Sequence, residues 1–300
     1  AAFLESLRTG LDDNWIPPIP AGLLLYASLF VLPWYAAPVP GRLATALVVN
    51  AAIAAAAGGL RVVSPSGALA GGAAGTLLLS FGGWGAYGVL WFFFLAGTLA
   101  TRLGWAEKTR RGTAQKREGR RGIEHVAANC STGIVIAAVS YAIPARVLPG
   151  AGALLGTALA ASFAAALADT LGTEFGSLYG RTAFSMTRMS AAPPGTPGAV
   201  SWPGTAGGLF GALVVGLLAA ALGVCPWTAV PAVACAGLLG SLCESLLLDW
   251  GSRTGRKIDH EFSNAFNTVV AAGAAIEILA SLDRGRLYLP IEAARQAVAR

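Results

Sequence analysis

The run Ala151-Gly-Ala-Leu-Leu-Gly-Thr-Ala-Leu-Ala-Ala-Ser-Phe-Ala-Ala-Ala-Leu-Ala168 leads directly into Asp169-Thr170-Leu-Gly172-Thr173-Glu174, and this junction decides the fold. The run carries no charge, and its length approaches the ~20 residues with which an α-helix crosses the hydrocarbon of a bilayer. Two carboxylates then arrive within six residues. The stretch predicts a membrane span that ends in an acidic, hydroxyl-bearing turn.

The same alternation continues outward in both directions. No acidic residue lies between Asp13 and Glu107, between Glu124 and Asp169, or between Glu174 and Glu244. Because a carboxylate in hydrocarbon is costly, lipid-embedded helices leave gaps of this kind. Apolar runs predict spans near 20–36, 43–60, 68–80, 84–101, 126–148, 151–168, 205–223, 227–248 and 263–280. The third is short and Gly-rich, so it is either re-entrant or fused with its neighbour. The expected fold is all-α: a polytopic integral membrane protein of about seven to nine helices, some short or re-entrant. Residues 1–300 form one membrane-embedded domain, with a surface segment at 1–18 and a tail at 283–300.

Composition agrees with this reading. Charged residues make up 12% of the chain and hydrophobic ones 55%, against about 25% charged in a soluble domain. A disordered chain, a nucleic-acid-binding tail and a soluble globule are thereby excluded. Cys130, Cys225, Cys235 and Cys243 form no CxxC pair and sit in apolar runs, as small helix residues do. Glu5, Asp12 and Asp13 precede the first apolar run, unlike the basic flank of a signal peptide.

The remaining charge gathers in three stretches, 102–125, 169–204 and 249–262, each separated from the next by a pair of spans. They therefore share one membrane face. That face holds 13 of the 21 basic residues and both histidines, His125 and His260. The positive-inside rule makes it cytoplasmic, in a bacterial inner membrane or an organelle membrane. Nine spans would send Arg284, Arg286, Arg295 and Arg300 to the other side. Either one span is fewer or the tail lies along the surface as an amphipathic helix. Glycines four apart (Gly71/Gly75, Gly204/Gly208, Gly207/Gly211) suit close helix packing. No GxxxxGK[ST] phosphate loop and no transporter-like repeat occurs.

Four polar clusters mark the basic face. The first runs from Lys108 through Lys116, Arg117, Arg120 and Arg121 into His125 and Asn129. A lipid anchor would explain the charge. It leaves unexplained why His125 and Asn129, four apart, carry the polar stripe into a span. Arg forks and Lys point charges also suit phosphates. The second cluster is Asp169 to Gly176, with Glu174 about 140° round the helix from Asp169. Two carboxylates with hydroxyls opposite a basic loop suit Mg²⁺, which retains waters and shares phosphate oxygens. The third, Pro193 to Gly204, is a Pro/Gly loop containing Thr196 and Ser201; it is either an anion-wrapping loop or a connector. The fourth puts Ser241, Glu244 and Ser245 on one helical face, with Asn264 and Asn267 on a second segment. An intramembrane carboxylate is a functional-site hypothesis by default.

These pieces, in this order, resemble the transmembrane protein 19 family, which includes the chloroplast phytyl-phosphate kinase. The resemblance rests on Lys116-Arg-Glu-Gly-Arg120-Arg-Gly-Ile-Glu-His-Val-Ala-Ala-Asn129, Ala168-Asp169-Thr170 with Glu174-Phe-Gly176, Pro194-Gly195-Thr196-Pro-Gly198-Ala-Val-Ser201 with Gly204-Thr205, Gly240-Ser241 through Ser245, and Asn264-Ala-Phe-Asn267. It spans residues 40–280. The family usually has Asn-Gly at Asn129-Cys130, Ser-Glu at Thr173-Glu174, and Asp at Glu244.

The resemblance implies phosphoryl transfer from a nucleoside triphosphate, CTP favoured, to a membrane-held isoprenoid monophosphate. On that expectation Lys116, Arg117, Arg120 and Arg121 bind phosphates, with His125, Thr196, Ser201, Ser241, Asn264 and Asn267 around them. Asp169, Glu174 and Glu244 hold Mg²⁺, and Asn129 joins them in the catalytic set. The partners are the nucleotide, the lipid phosphate and the bilayer, with no nucleic acid; a homo-oligomer is left open. The alternatives are a carrier or flippase for lipid phosphates, or a lipid-phosphate cytidylyltransferase.

Overall fold

A computed structural model of the chain describes residues 39–59, 65–110, 122–143, 150–193 and 195–282. The protein is a helical bundle: α1 (Val39–Gly59), α2 (Pro65–Arg102), α3 (Trp105–Arg110), α4 (Ile123–Ala142), α5 (Ala151–Tyr179), α6 (Trp202–Ala221), α7 (Val230–Thr254) and α8 (His260–Leu282). Six of these helices are long and apolar enough to cross a membrane, and α1 contains a shorter apolar stretch, Gly41–Ala56. The expected integral membrane all-α fold is borne out, near the lower end of the expected count. The first expected span, 20–36, the segment 1–18 and the tail 283–300 lie outside the described residues.

α5 is the axis of the bundle. Every residue from Ala158 to Ala168 is at most 3% exposed, because α2, α4, α6, α7 and α8 all pack around this helix. Its alanines have little side chain to hold neighbours away, which is how membrane helices approach closely without a hydrophobic drive. α6 meets it through glycines. A Cβ on Gly204 would lie 2.7 Å from the Gly172 carbonyl, and one on Gly208 would lie 3.0 Å from that of Ala168.

The third and fourth expected spans form one element, α2, broken at Gly83 (φ 70°, ψ −171°). Its 38 residues would extend about 57 Å if straight, nearly twice the ~30 Å hydrocarbon. The chain instead doubles back. The Tyr87 ring lies against Gly75, a position a straight helix would hold about 18 Å away. Tyr87 also donates to Asn50 Oδ1 of α1 at 2.9 Å. Only glycine takes such a φ without strain.

One element falls outside the all-α expectation. Between α5 and α6, β1 (Ala183–Ser185) and β2 (Ser190–Ala192) pair antiparallel, and Phe184 bridges to Val200 beside them.

Candidate functional site

The described parts of the three polar stretches meet at one end of the bundle, as the pairing of spans requires. Lys108 reaches Glu174, Ser185 and Thr187 reach Asp249, and Arg253 Nη1 donates to the Thr187 carbonyl at 3.3 Å. Three local devices aim the helices there. Ser201 caps α6 by accepting from Gly204 N, Asp259 accepts from Glu261 N at the start of α8, and Gly255 (φ 70°) ends α7.

Glu244 of α7 forms the centre of the first cluster and is 1% exposed. From α8, Ser263 Oγ donates to its Oε1 at 2.7 Å and Asn267 Nδ2 to its Oε2 at 2.8 Å. Asn267 Nδ2 also approaches the Ala165 carbonyl of α5 at 3.4 Å, and its Oδ1 is buried without a partner. From α5, Asp169 stands close enough to Glu244 for the two charges to interact, and His260 acts on Asp169 from the start of α8. No side-chain hydrogen bond reaches the Asp169 carboxylate among the described residues, and it is only half-buried. Asn264 and Ser241 are buried nearby on the same two helices as Asn267 and Glu244. Thr268 of α8 meets Thr132 of α4 at 2.7 Å. Asn129 of α4 is 2% exposed and donates to the His125 carbonyl at 2.9 Å.

The second cluster lies on another face of α5. Lys108 Nζ meets Glu174 Oε2 at 2.5 Å and donates to the carbonyls of Thr101 (2.7 Å) and Ala100 (3.3 Å). The two side chains are 1% and 3% exposed, and Glu174 Oε1 is buried without a partner. Isolated, either charge would be prohibitive in this setting; paired, they persist.

Asp249, one and a half turns beyond Glu244 on α7, clamps the β-hairpin. Its carboxylate accepts from Ser185 Oγ, Thr187 N and Thr187 Oγ1 at 2.8–3.0 Å. The loop after the hairpin rests on α7 as well, because Gly198 packs against the Ser245 carbonyl and Asp249 N. Within that loop Thr196 closes a turn onto the Pro193 carbonyl, and Ser201 serves as the α6 cap. Both expected phosphate binders are thus committed to local structure.

Of the expected site residues, Asp169, Glu244 and Asn267 lie together, and Ser241 and Asn264 are buried on the same helices as Glu244 and Asn267. Glu174 is not with them, since it faces Lys108. The four expected phosphate-binding cations, Lys116, Arg117, Arg120 and Arg121, lie outside the described residues. The sequence reading missed Ser263 as a partner of Glu244, Lys108 as a buried ion, and Asp249 as a clamp. Ser263 was legible, because it is four residues before Asn267 and shares its helical face. The other two depend on contacts 66 and 62 residues away.

Among the described residues no three His, Cys, Asp or Glu side chains are gathered as a metal site. Mg²⁺ does not require three, because it commonly takes one or two carboxylates, waters and substrate phosphates. Asp169 and Glu244 fit that mode: both are hard oxygen donors, and the Asp169 carboxylate accepts no side-chain hydrogen bond among the described residues. Glu174 does not fit it.

The family model "Integral membrane protein DUF92" matches residues 48–261. The chain belongs to this family. The DUF92 match covers the first three polar clusters and the Ser241–Ser245 part of the fourth, ending before Asn264, and falls within the span of the transmembrane protein 19 resemblance, which is borne out. An uncharacterised membrane protein of Synechocystis is 31% identical over 211 residues, 69% of this chain and 79% of its own length. The chloroplastic protein VTE6 of Arabidopsis thaliana is 29% identical over 222 residues, 71% of this chain and 65% of VTE6. An uncharacterised membrane protein of Methanocaldococcus jannaschii is 28% identical over 225 residues, 74% and 88%. No solved structure matches the chain.

Proposed function

We propose that this DUF92 chain is a membrane kinase of isoprenoid monophosphates, using a nucleoside triphosphate, CTP favoured, to make the diphosphate. The observation that carries the proposal is the buried Glu244 beside Asp169, whose carboxylate accepts no side-chain hydrogen bond among the described residues, at the basic end of the bundle. The likeness to VTE6, and the phytyl-phosphate kinase within the resembled family, supply the substrate class. The positive-inside rule makes the catalytic face cytoplasmic.

The chemistry asks little of a general base. A phosphate monoester has a second pKa of about 6, so the acceptor oxygen is already anionic at neutral pH. That oxygen attacks the terminal phosphorus of the nucleotide, the bond to the bridging oxygen breaks, and the nucleoside diphosphate leaves. The difficulty is bringing two polyanions together, which positioning and positive charge overcome.

Bound Mg²⁺, held by Asp169 and Glu244, would neutralise phosphate charge. Ser263 and Asn267 hold the Glu244 carboxylate in place. Asn264, Asn129 and Ser241 offer amide and hydroxyl groups to phosphate oxygens. Lys116, Arg117, Arg120 and Arg121 supply the positive charge.

Purified protein with Mg²⁺, labelled CTP or ATP, and phytyl or geranylgeranyl monophosphate tests the proposal. Labelled lipid diphosphate is expected; no product from any donor–acceptor pair overturns it. Release of pyrophosphate with a cytidylated lipid would mean a cytidylyltransferase. Lipid-phosphate movement across vesicles without nucleotide would mean a carrier, which the one-sided placement of Asp169, Glu174 and Glu244 disfavours.

A further inference from the structure

The β-hairpin has an inverted pattern. Ser185 points inward to the Asp249 carboxylate, while Phe184 points outward. In the sheet Phe184 stands opposite Ala191 on one side and Val200 on the other, so the outward face is apolar. A hairpin washed by water would have the reverse, because alternation sets one face to the core and one to solvent. The turn beyond it holds Met186 and Met189, the only methionines in the chain, and Met189 is 75% exposed. Trp202, at the start of α6, is 87% exposed and Tyr179, at the end of α5, 57%.

The exposed charges of this rim are predominantly basic. Arg181, Arg188, Arg253, Arg256 and Lys257 are exposed, whereas Glu244 and Asp249 are buried and the next two carboxylates, Asp259 and Glu261 at the start of α8, are half-buried. Arg256 also lies over the Trp250 ring, 5.4 Å from its centroid. Exposed aromatics and methionine beside arginines match the headgroup layer of a bilayer, where amphipathic rings settle and basic groups meet anionic lipid.

We infer that the hairpin Ala183–Ala192 is a finger embedded in an anionic headgroup layer, clamped to α7 by Asp249 beside Glu244. Asp249 is five residues beyond Glu244, about 7.5 Å along the helix. The finger therefore sets the depth of the acidic cluster relative to the lipid phosphates. This inference concerns lipid contact and stands without the kinase proposal.

The test uses full-length protein in vesicles, with Met189→Cys labelled by an environment-sensitive fluorophore and Cys235 and Cys243 replaced by Ala. Ala191→Cys, on the outward face, is a second label site should the first variant misfold. In vesicles containing phosphatidylglycerol, blue-shifted emission quenched by lipids spin-labelled near the headgroup is expected. Weaker quenching is expected in neutral phosphatidylcholine, and the difference should shrink when Arg188→Gln and Lys257→Gln are added. Water-like, unquenched emission at both sites overturns the inference. Equal quenching in the two lipids overturns its anionic specificity.

Discussion

Lys108 and Glu174 meet at 2.5 Å inside the bundle, although 66 residues separate them and neither side chain is more than 3% exposed. Removing one partner leaves a buried charge alone, which costs about 3–5 kcal/mol, whereas replacing both by apolar groups is often close to neutral. Glu174→Gln and Lys108→Met should each lower the unfolding temperature sharply in detergent. The Lys108→Met/Glu174→Leu double variant should recover most of the loss. If the two single losses simply add, the pair is not acting as a pair.

Asp169 has no side-chain hydrogen bond among the described residues and faces Glu244. Asp169→Asn removes a charge without removing a structural bond. Turnover should fall by about 100-fold or more, the scale on which a single electrostatic group acts in a transition state. Thermal stability should stay the same or rise slightly. Turnover close to that of the parent would take Asp169 out of the reaction centre.

The Asp249 clamp should control the hairpin more than the bundle. Bonds to a carboxylate contribute about 1.5–3 kcal/mol each, and Asp249→Ala removes three donors' worth at once. Trypsin should then cut faster after the exposed Arg181 and Arg188, read by mass spectrometry, while the helical circular dichroism is unchanged.

The α5–α6 contact is asymmetric. A Cβ on Gly204 would lie 2.7 Å from the Gly172 carbonyl, but one on Gly172 lies at an ordinary 3.5 Å from that of Gly204. Gly204→Ala should cost about 1–3 kcal/mol by overpacking. Gly172→Ala should be neutral or stabilising, because alanine favours helix over glycine by up to ~1 kcal/mol. Paired melting curves decide whether the order is as stated.

The spans and their shared polar face were legible because hydrocarbon imposes a long-range rule on local composition: charges must leave the run, and successive helices must alternate direction. The order of polar clusters identified the family for the same reason, each cluster being contiguous in the chain. Asp169, Glu244 and Asn267 could be grouped because they end runs that must terminate at one face. The break at Gly83 was visible only as a choice between re-entrant and fused, since either satisfies the apolar pattern.

Tertiary packing alone decided how the charged groups are partnered. Nothing near Glu174 in the chain announces Lys108, and nothing near Asp249 announces Ser185 and Thr187. A buried ion is stabilised by whichever donor the neighbouring helix happens to carry at that depth, and helix rotation sets that donor. Composition thus determined a membrane bundle with one charged end. The rotation of α5 divided its two carboxylates, turning Asp169 toward Glu244 and Glu174 toward Lys108.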